Sequence, residues 1–285
     1  MEYSKKNHHF SINYKCPENK TINIYRGNYS RGGIFRGRNN YPLGNHDEQN
    51  YRATFYNNYP NYPNYNKNLY KPYKRNNSLH RKEKYIYKEY PYLIDINENN
   101  SNILKEINTD CKFFIIKSFS EEDIHKSIKY GVWSSSKYGN NLLSNAFNIT
   151  KEKGSFVYLF FSCNGSGRYV GVAKMTTPCD FNEVFDYWTQ DNKWPGIFKV
   201  EWKFIKDVPF KEFKNIIITM NDGEIKPISN ARDAQEIPYE QAKNMLNIIE
   251  KYENKTDILE HFEFYDKRQA NYERNMKMQN LEKEI

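Results

Sequence analysis

The sequence predicts an α/β (α+β) domain that follows a long tail of different composition. Apolar, aromatic and β-branched runs typical of buried strands lie at residues 113–116, 155–162 and 197–205. Apolar residues also recur at helical spacing, as in residues 239–253. Because these strand and helix patterns alternate from residue 108 onward, we expect a mixed domain of about 160 residues.

Residues 1–107 are predicted to form a disordered, Asn/Tyr/Lys-rich low-complexity tail. Of the 25 tyrosines, 16 lie in residues 1–100, which carry a formal net charge of +9 against −1 for the rest of the chain. This part shows neither a helical nor a strand period, and it has too little aliphatic surface to offset the cost of ordering. Residues 85–96 are more apolar, which favours docking on the folded part. The Arg/Gly patch at residues 30–38 is compatible with loose RNA binding and with a solvated linker.

The composition argues against several classes of protein. No stretch reaches the roughly 20 apolar residues of a membrane span, so no membrane partner is expected. The four cysteines and six histidines form no CxxC pair and no ligand-spaced cluster, so neither a metal nor a cofactor is predicted. We also find no nucleophile and base at a known catalytic spacing, and therefore predict that the protein is not an enzyme.

Residues 112–136 give the clearest local pattern. After the first strand, Ser120 is a residue type preferred at helix N-caps. Three carboxylates at 121–123 then meet the positive end of the helix dipole. Gly131 is a plausible helix end, and Trp133 follows it beside three serines. This stretch predicts a strand, a capped helix and a tryptophan in a polar loop.

The remaining elements follow from similar signals. They are a helix at 140–149, a strand at 155–162, a hairpin turn at Asn164–Gly165, a return strand at 168–175, strands at 197–205 and 215–220, an irregular segment at 226–238, a helix at 239–253 and a last helix capped by Thr256. We predict that the last helix continues into a charged C-terminal helix extension, residues 269–285.

The four tryptophans are the most informative side chains. Trp202 lies within a strand pattern and is predicted to be a core residue. Trp133, Trp188 and Trp194 lie in predicted loops beside polar residues. Aromatic rings on loops are a common means of stacking unpaired bases, although a loop tryptophan can also simply fill the edge of a domain.

Four blocks of sequence resemble the YTH domain, a family that reads N6-methyladenosine in RNA. The blocks are FFIIKSFSEEDIHKSIKYGVWSSS, VYLFFSCNGSGRYVGVAKM, WTQDNKWPGIFKVEWKFIKDVP and ISNARDAQEIP. The resemblance covers residues 108–268 and is greatest to the cytoplasmic type with a disordered N-terminal tail. It implies a curved, barrel-like β-sheet surrounded by helices, similar to PUA-like folds.

The resemblance also implies the residues of a binding site. The aromatic cage around the modified base would consist of Trp133, Trp188 and Trp194. Residues expected to orient the base are Asp123, Ser134, Asn164, Ser118 and Phe119. Residues expected along the RNA backbone are Lys117, Arg232 and Asp233.

Some of these assignments have a second interpretation. Asp123 also fits a carboxylate in the first turn of a helix, Asn164 a hairpin turn, and Arg232 with Asp233 a surface ion pair. The loop from Trp188 to Trp194 is one residue longer than the usual family pattern.

The predicted function is therefore recognition of N6-methyladenosine in single-stranded mRNA, with regulation of mRNA stability or translation. Expected partners are methylated mRNA and protein partners of the tail, and no DNA partner is expected. The expected location is cytoplasmic, although the Lys/Arg content is also compatible with nuclear entry. The alternatives are an RNA-acting enzyme that uses the same pocket, and a condensate scaffold in which the tail dominates and RNA binding is general.

Overall fold

The computed structural model describes residues 14–15, 21–22, 25–26, 78–99, 103–190, 192–220 and 223–283. The α-helices are α1 (Ser78–Glu89), α2 (Ile96–Asn99), α3 (Ile103–Glu106), α4 (Glu121–Tyr130), α5 (Lys137–Glu152), α6 (Tyr239–Lys251) and α7 (Phe262–Lys283). The short strands before the domain are β1 (Tyr14–Lys15), β2 (Thr21–Ile22) and β3 (Tyr25–Arg26). The strands that follow are β4 (Lys112–Ser118), β5 (Val132–Trp133), β6 (Val157–Cys163), β7 (Arg168–Met175), β8 (Glu183–Val184), β9 (Phe198–Pro209), β10 (Ile217–Thr219), β11 (Ile225–Pro227) and β12 (Gln235–Ile237). Short 3-10 helices lie at Pro91–Leu93, Phe210–Phe213, Ile228–Asn230 and Ile258–His261.

A curled six-stranded sheet, with helices packed around it, confirms the predicted fold class. Its strand order is β12–β4–β6–β7–β9–β5, in which β4 and β6 run parallel and the other neighbours are antiparallel. Separate two-stranded pairings join β1 to β2, β3 to β8 and β10 to β11.

The sheet is covered on both faces, which explains the unbroken apolar run of β4. Phe114 and Ile116 belong to one cluster of buried side chains, whereas Phe113 and Ile115 belong to a second. Successive side chains of a strand point to opposite faces, so a strand buried on both sides loses the usual alternation of polar and apolar residues.

The connection from β4 into α4 forms as predicted. The Ser120 hydroxyl accepts a hydrogen bond from the Asp123 backbone N–H at 3.1 Å, which caps the helix. Gly131 ends the helix in the left-handed conformation, with φ of 65°. The chain then turns directly into β5, which pairs with β9 at the edge of the sheet.

Three local predictions need correction. Helix α5 is longer than the predicted 140–149, because the Ser136 hydroxyl accepts the Gly139 N–H at 3.1 Å and caps an earlier start. The segment 226–238 is not irregular throughout: it contains β11 and β12, and β12 pairs with β4. Thr256 does not cap the last helix. Asp257 instead caps the short helix before α7 by accepting the Leu259 N–H at 3.0 Å.

The predicted tail boundary at residue 107 is wrong. Helices α1, α2 and α3 lie before it, and Ile86, Tyr90 and Leu93 are buried in the core. The expected docking of residues 85–96 is therefore confirmed. For residues 1–77 the structure describes β1, β2 and β3, while the rest of the predicted tail, including the Arg/Gly patch, lies outside the described residues.

The two flanks of the domain meet at Asp266 in α7. Its carboxylate accepts hydrogen bonds from the hydroxyls of Tyr85 and Tyr90, each at 2.6 Å, and pairs with the Lys129 ammonium of α4 at 2.5 Å. Helix α7 runs through the predicted boundary at residue 268 without a break, and Gln269 just beyond it is buried. Within the described ranges, no helix is long and apolar enough to cross a membrane.

Candidate functional site

A cavity opens where the end of β4, the start of α4 and the loops after β5 and β8 come together. Its empty space is about 290 Å³ when the open mouth is included. The residues that line it are Lys117, Ser118, Phe119, Asp123, Trp133, Ser134, Ser135, Trp188, Trp194 and Asp233. The structure thus brings nine of the eleven predicted site residues to one cavity.

Two of the tryptophans form a rigid corner of the cavity. The rings of Trp133 and Trp188 lie 5.4 Å apart between centroids, at an interplanar angle of 73°. Behind them, Trp133 packs edge-on against Phe161 and Trp188 packs against Phe185. Both are nearly buried, with 5% and 7% of their surface exposed. Trp133 lies in β5 and not in a loop as predicted, so the sheet edge fixes its backbone.

Trp194 is the more accessible wall, since it is only partly buried. Asn192 adopts the left-handed conformation, with φ of 56°, a conformation that asparagine tolerates better than most residues. The Lys193 ammonium then lies over two aromatic rings, 4.8 Å from the Phe119 centroid and 4.7 Å from that of Trp194. The longer loop from Trp188 to Trp194 therefore still places Trp194 in the cavity wall.

The Asp123 carboxylate ties α4 to the loop that carries Trp188. One oxygen accepts the Thr189 backbone N–H at 2.8 Å, and the other accepts the hydroxyls of Thr189 at 2.7 Å and Ser120 at 2.9 Å. Burial raises the pKa of this carboxyl despite these bonds. Asp123 is therefore both a first-turn carboxylate of the helix and a residue of the cavity wall.

Asp233 and Lys117 form the opposite side of the mouth. Although Asp233 is exposed as a residue, its carboxylate is enclosed, accepting the Lys117 backbone N–H at 2.9 Å and the Ser135 hydroxyl at 2.7 Å. This enclosure raises the pKa of the Asp233 carboxyl. Burial lowers the pKa of the Lys117 amine to about 8, and its ammonium donates to the Ser229 carbonyl at 3.2 Å.

Two predicted residues do not line the cavity. Asn164 is exposed in the turn between β6 and β7, where its backbone N–H donates to the Ser118 carbonyl at 3.0 Å. Arg232 is exposed next to Asp233 and is not part of the lining. The geometry favours the hairpin interpretation of Asn164.

Sequence reasoning missed Ser135, which lines the cavity between Ser134 and the cap of α5. The adjoining tryptophan was the available signal, because a polar residue two positions after a cage candidate is within reach of the same space. Among the described residues, no group of three or more His, Cys, Asp or Glu side chains is placed to hold a metal ion.

Comparison with known proteins identifies the domain. Residues 111–250 match the YTH family, described as the YT521-B-like domain. The YTH domain-containing protein ECT3 of Arabidopsis thaliana is 46% identical over 179 residues, which are 62% of this chain and 36% of that protein. The YTH domain-containing family protein 1 of Mus musculus is 45% identical over 187 residues, or 65% of this chain and 33% of that protein.

The chain thus matches about a third of the length of these curated relatives. Among solved structures, the YTH domain of Zygosaccharomyces rouxii MRB1 in complex with N6-methyladenosine RNA is 37% identical. That comparison covers 52% of this chain and 92% of the other, with a TM-score of 0.47. On the evidence of the family match and of the identities to the two curated relatives, the chain belongs, through residues 111–250, to the YTH domain family.

Proposed function

We propose that this domain binds N6-methyladenosine in RNA, with the modified base held in a cage of Trp133, Trp188 and Trp194. The observation that carries the proposal is that a YTH domain places three tryptophans around one small cavity with polar groups at its rim. We propose a binding role without turnover of the RNA.

The ring geometry supports different tasks for the three tryptophans in this proposal. A base stacked between two rings needs them about 7 Å apart, twice a carbon–carbon contact of about 3.5 Å. Trp133 and Trp188, at 5.4 Å and 73°, are too close and too inclined to admit a base between them. We therefore assign Trp133 and Trp194 to the two stacking faces, and Trp188, inclined to Trp133, to closure over the methyl group.

The chemistry of the ligand suits such a cage. The base is neutral and flat, so stacking and burial of the methyl group stabilise it, without the attraction of a cation to a ring. One methyl group in an apolar pocket contributes about 1–3 kcal/mol, or roughly 10–200-fold in affinity over adenosine. The base has to be unpaired or flipped out of a helix to enter.

Polar groups at the rim are suited to orient the base. We assign the Ser134 carbonyl to accept the methylamino N–H, and the backbone of Ser118 and Phe119 to the other base edge. Asp123 lies in the cavity wall, where its carboxyl group can meet the Watson–Crick edge. We assign Lys117 to the RNA backbone, and a pKa of about 8 keeps most of its amine protonated at neutral pH.

The test is a matched pair of titrations of the full chain, with one short single-stranded RNA that carries or lacks a single N6-methyl group, at one salt concentration. We expect at least about tenfold tighter binding of the methylated strand. Trp133→Ala and Trp188→Ala should each abolish this difference while the protein still unfolds cooperatively. Tyr138→Ala, which removes a ring that is 76% exposed on α5, is the control and should keep it. Equal affinity of the unmodified protein for both strands would refute the proposal.

We also propose, on the sequence resemblance alone, that the protein acts in the cytoplasm on mRNA stability or translation, and that its N-terminal residues recruit protein partners. The test is the half-life and the translation of a methylated reporter mRNA in cells that express the full chain or its Trp188→Ala variant. Identical half-lives and yields would contradict it, as would a protein found only in the nucleus.

A further inference from the structure

Beyond the residues that line the cage, one buried side chain links its two stacking walls. Asn140 lies in the first turn of α5 and is completely buried. Its amide oxygen accepts the Ser135 backbone N–H at 2.8 Å. Its amide nitrogen donates to the Pro195 carbonyl at 2.6 Å and to the Ser134 hydroxyl at 3.2 Å.

These partners directly adjoin the stacking tryptophans. Ser134 and Ser135 immediately follow Trp133, and Pro195 immediately follows Trp194. Asn140 and Pro195 are 55 residues apart along the chain, and the one Asn140 amide holds the loops after both tryptophans. The orientation of the amide is fixed by its partners, since a backbone N–H can only donate and a carbonyl can only accept.

We propose that Asn140 is a positioning residue that sets the separation of Trp133 and Trp194 and thereby the selectivity of the cage for the methylated base; this rests on the proposed function. It does not touch the base and is not part of the cavity lining. It acts through the backbone of the residues after each tryptophan.

The surroundings of Asn140 fit this role. Gly139 lets the start of α5 approach Ser135 closely, because a Cβ at position 139 would collide with the Ser135 hydroxyl. That hydroxyl in turn donates to the Asp233 carboxylate at 2.7 Å, which ties the same loop to β4 through the Lys117 N–H. The loop after Trp133 is therefore held by both Asn140 and Asp233. The backbone after Trp194 is held by Asn140, which fixes its position relative to that loop.

An isosteric substitution distinguishes the accepting side of the Asn140 amide, which binds Ser135, from its donating side, which binds Pro195. In Asn140→Asp, one carboxylate oxygen still accepts the Ser135 N–H, but the other cannot donate to the Pro195 carbonyl and repels it. The link to Pro195 after Trp194 is then lost, whereas the Ser134 hydroxyl, which the amide nitrogen also contacts, can turn and donate to the carboxylate. In Asn140→Ala both links are lost. The matched control is Asn145→Asp, which makes the same change of charge at an exposed position of the same helix.

The experiment measures the affinity of the full chain and these variants for one short single-stranded RNA, with and without one N6-methyl group, together with the thermal unfolding of each protein. If the unmodified protein prefers the methylated strand by about tenfold or more, we expect Asn140→Asp and Asn140→Ala to reduce that ratio to about threefold or less. Affinity for the unmethylated strand should change little, because its phosphate contacts remain.

Each other outcome is decisive. If the variants lost affinity for both strands by the same factor, so that the ratio stayed unchanged, the positioning role would be overturned. Loss of cooperative unfolding in both variants would also overturn it, because it would show that Asn140 only stabilises the fold. The same reduction in Asn145→Asp would assign the effect to charge and also overturn it. Absence of any methyl preference in the unmodified protein would instead refute the proposed function.

Discussion

Replacing Asp266 by alanine should cost about 3–5 kcal/mol of the free energy of unfolding, the usual effect of removing one partner from a buried ion pair. The carboxylate is only 12% exposed and accepts from Tyr85, Tyr90 and Lys129. Without it, the enclosed Lys129 ammonium of α4 and the hydroxyls of Tyr85 in α1 and of Tyr90 just after α1 lose their common partner. At about 2–4 °C per kcal/mol, the unfolding temperature should fall by about 6–20 °C.

The pH dependence of this effect has a definite sign. Burial by itself raises the pKa of the Asp266 carboxyl, yet neighbouring His125 and Lys129 hold it well below its ordinary value. A carboxyl with a depressed folded-state pKa stabilises the protein above its unfolded-state pKa of about 3.9, and this contribution is lost as the pH falls. The difference between the unmodified protein and Asp266→Ala should therefore be large at neutral pH and should shrink below about pH 4.

Asp110→Ala is the matched control, because Asp110 also pairs with a lysine, Lys153, at 2.6 Å. Those side chains are 48% and 53% exposed, and such surface pairs contribute about 0–1 kcal/mol. The assay is urea and thermal denaturation of the full chain and both variants. A cost for Asp266→Ala no larger than that for Asp110→Ala would refute the reasoning, and would mean that the flanks outside residues 111–250 do not support the domain.

Three further predictions concern the helix start, the helix end and the cage loop. Because burial raises the pKa of the Asp123 carboxyl, the unmodified protein should lose stability relative to Asp123→Asn as the pH rises above the ordinary carboxyl pKa of about 4; a constant difference between their urea midpoints would contradict this. Gly131→Ala should cost about 1–2 kcal/mol, since the residue has φ of 65°; an unchanged thermal midpoint would show that the backbone relaxes. Lys193→Ala should weaken RNA binding about 2–5-fold, because cation–ring contacts with Phe119 and Trp194 of about 0.5–1 kcal/mol hold the loop; titrations with unchanged affinity would exclude that support.

Where the structural signals lie within a few residues of one another, the sequence was sufficient to predict the element. Helix α4 could be predicted because its signals, the Ser120 cap, the three following carboxylates and the Gly131 end, all act within one or two turns. The burial of Trp202 followed from its strand neighbours in the same way. The fold class needed only the order of such patterns.

Elements that depend on distant partners were missed. Strand β12 has three residues, too few for a period, and exists because it pairs with β4 more than a hundred residues away. Helix α1 lies in a stretch that looked disordered, since its stability comes from burial of Ile86 against distant parts of the fold and from the hydrogen bond of Tyr85 to Asp266 in α7. Short helices gain most of their stability from such tertiary packing.

The same distinction between local signals and contacts with distant residues applies to the candidate site. The amino-acid sequence was enough to identify the chemical groups of the site: the three tryptophans, their polar neighbours and the resemblance that links them. Tertiary structure alone decided that Trp133 and Trp188 form a corner, that Asp123 holds Thr189, and that Asn140 joins the loops of Trp133 and Trp194. The physical reason is that these contacts join residues some 50 to 70 positions apart. Their geometry exists only once the sheet and helices have packed, and no local preference of the chain specifies it.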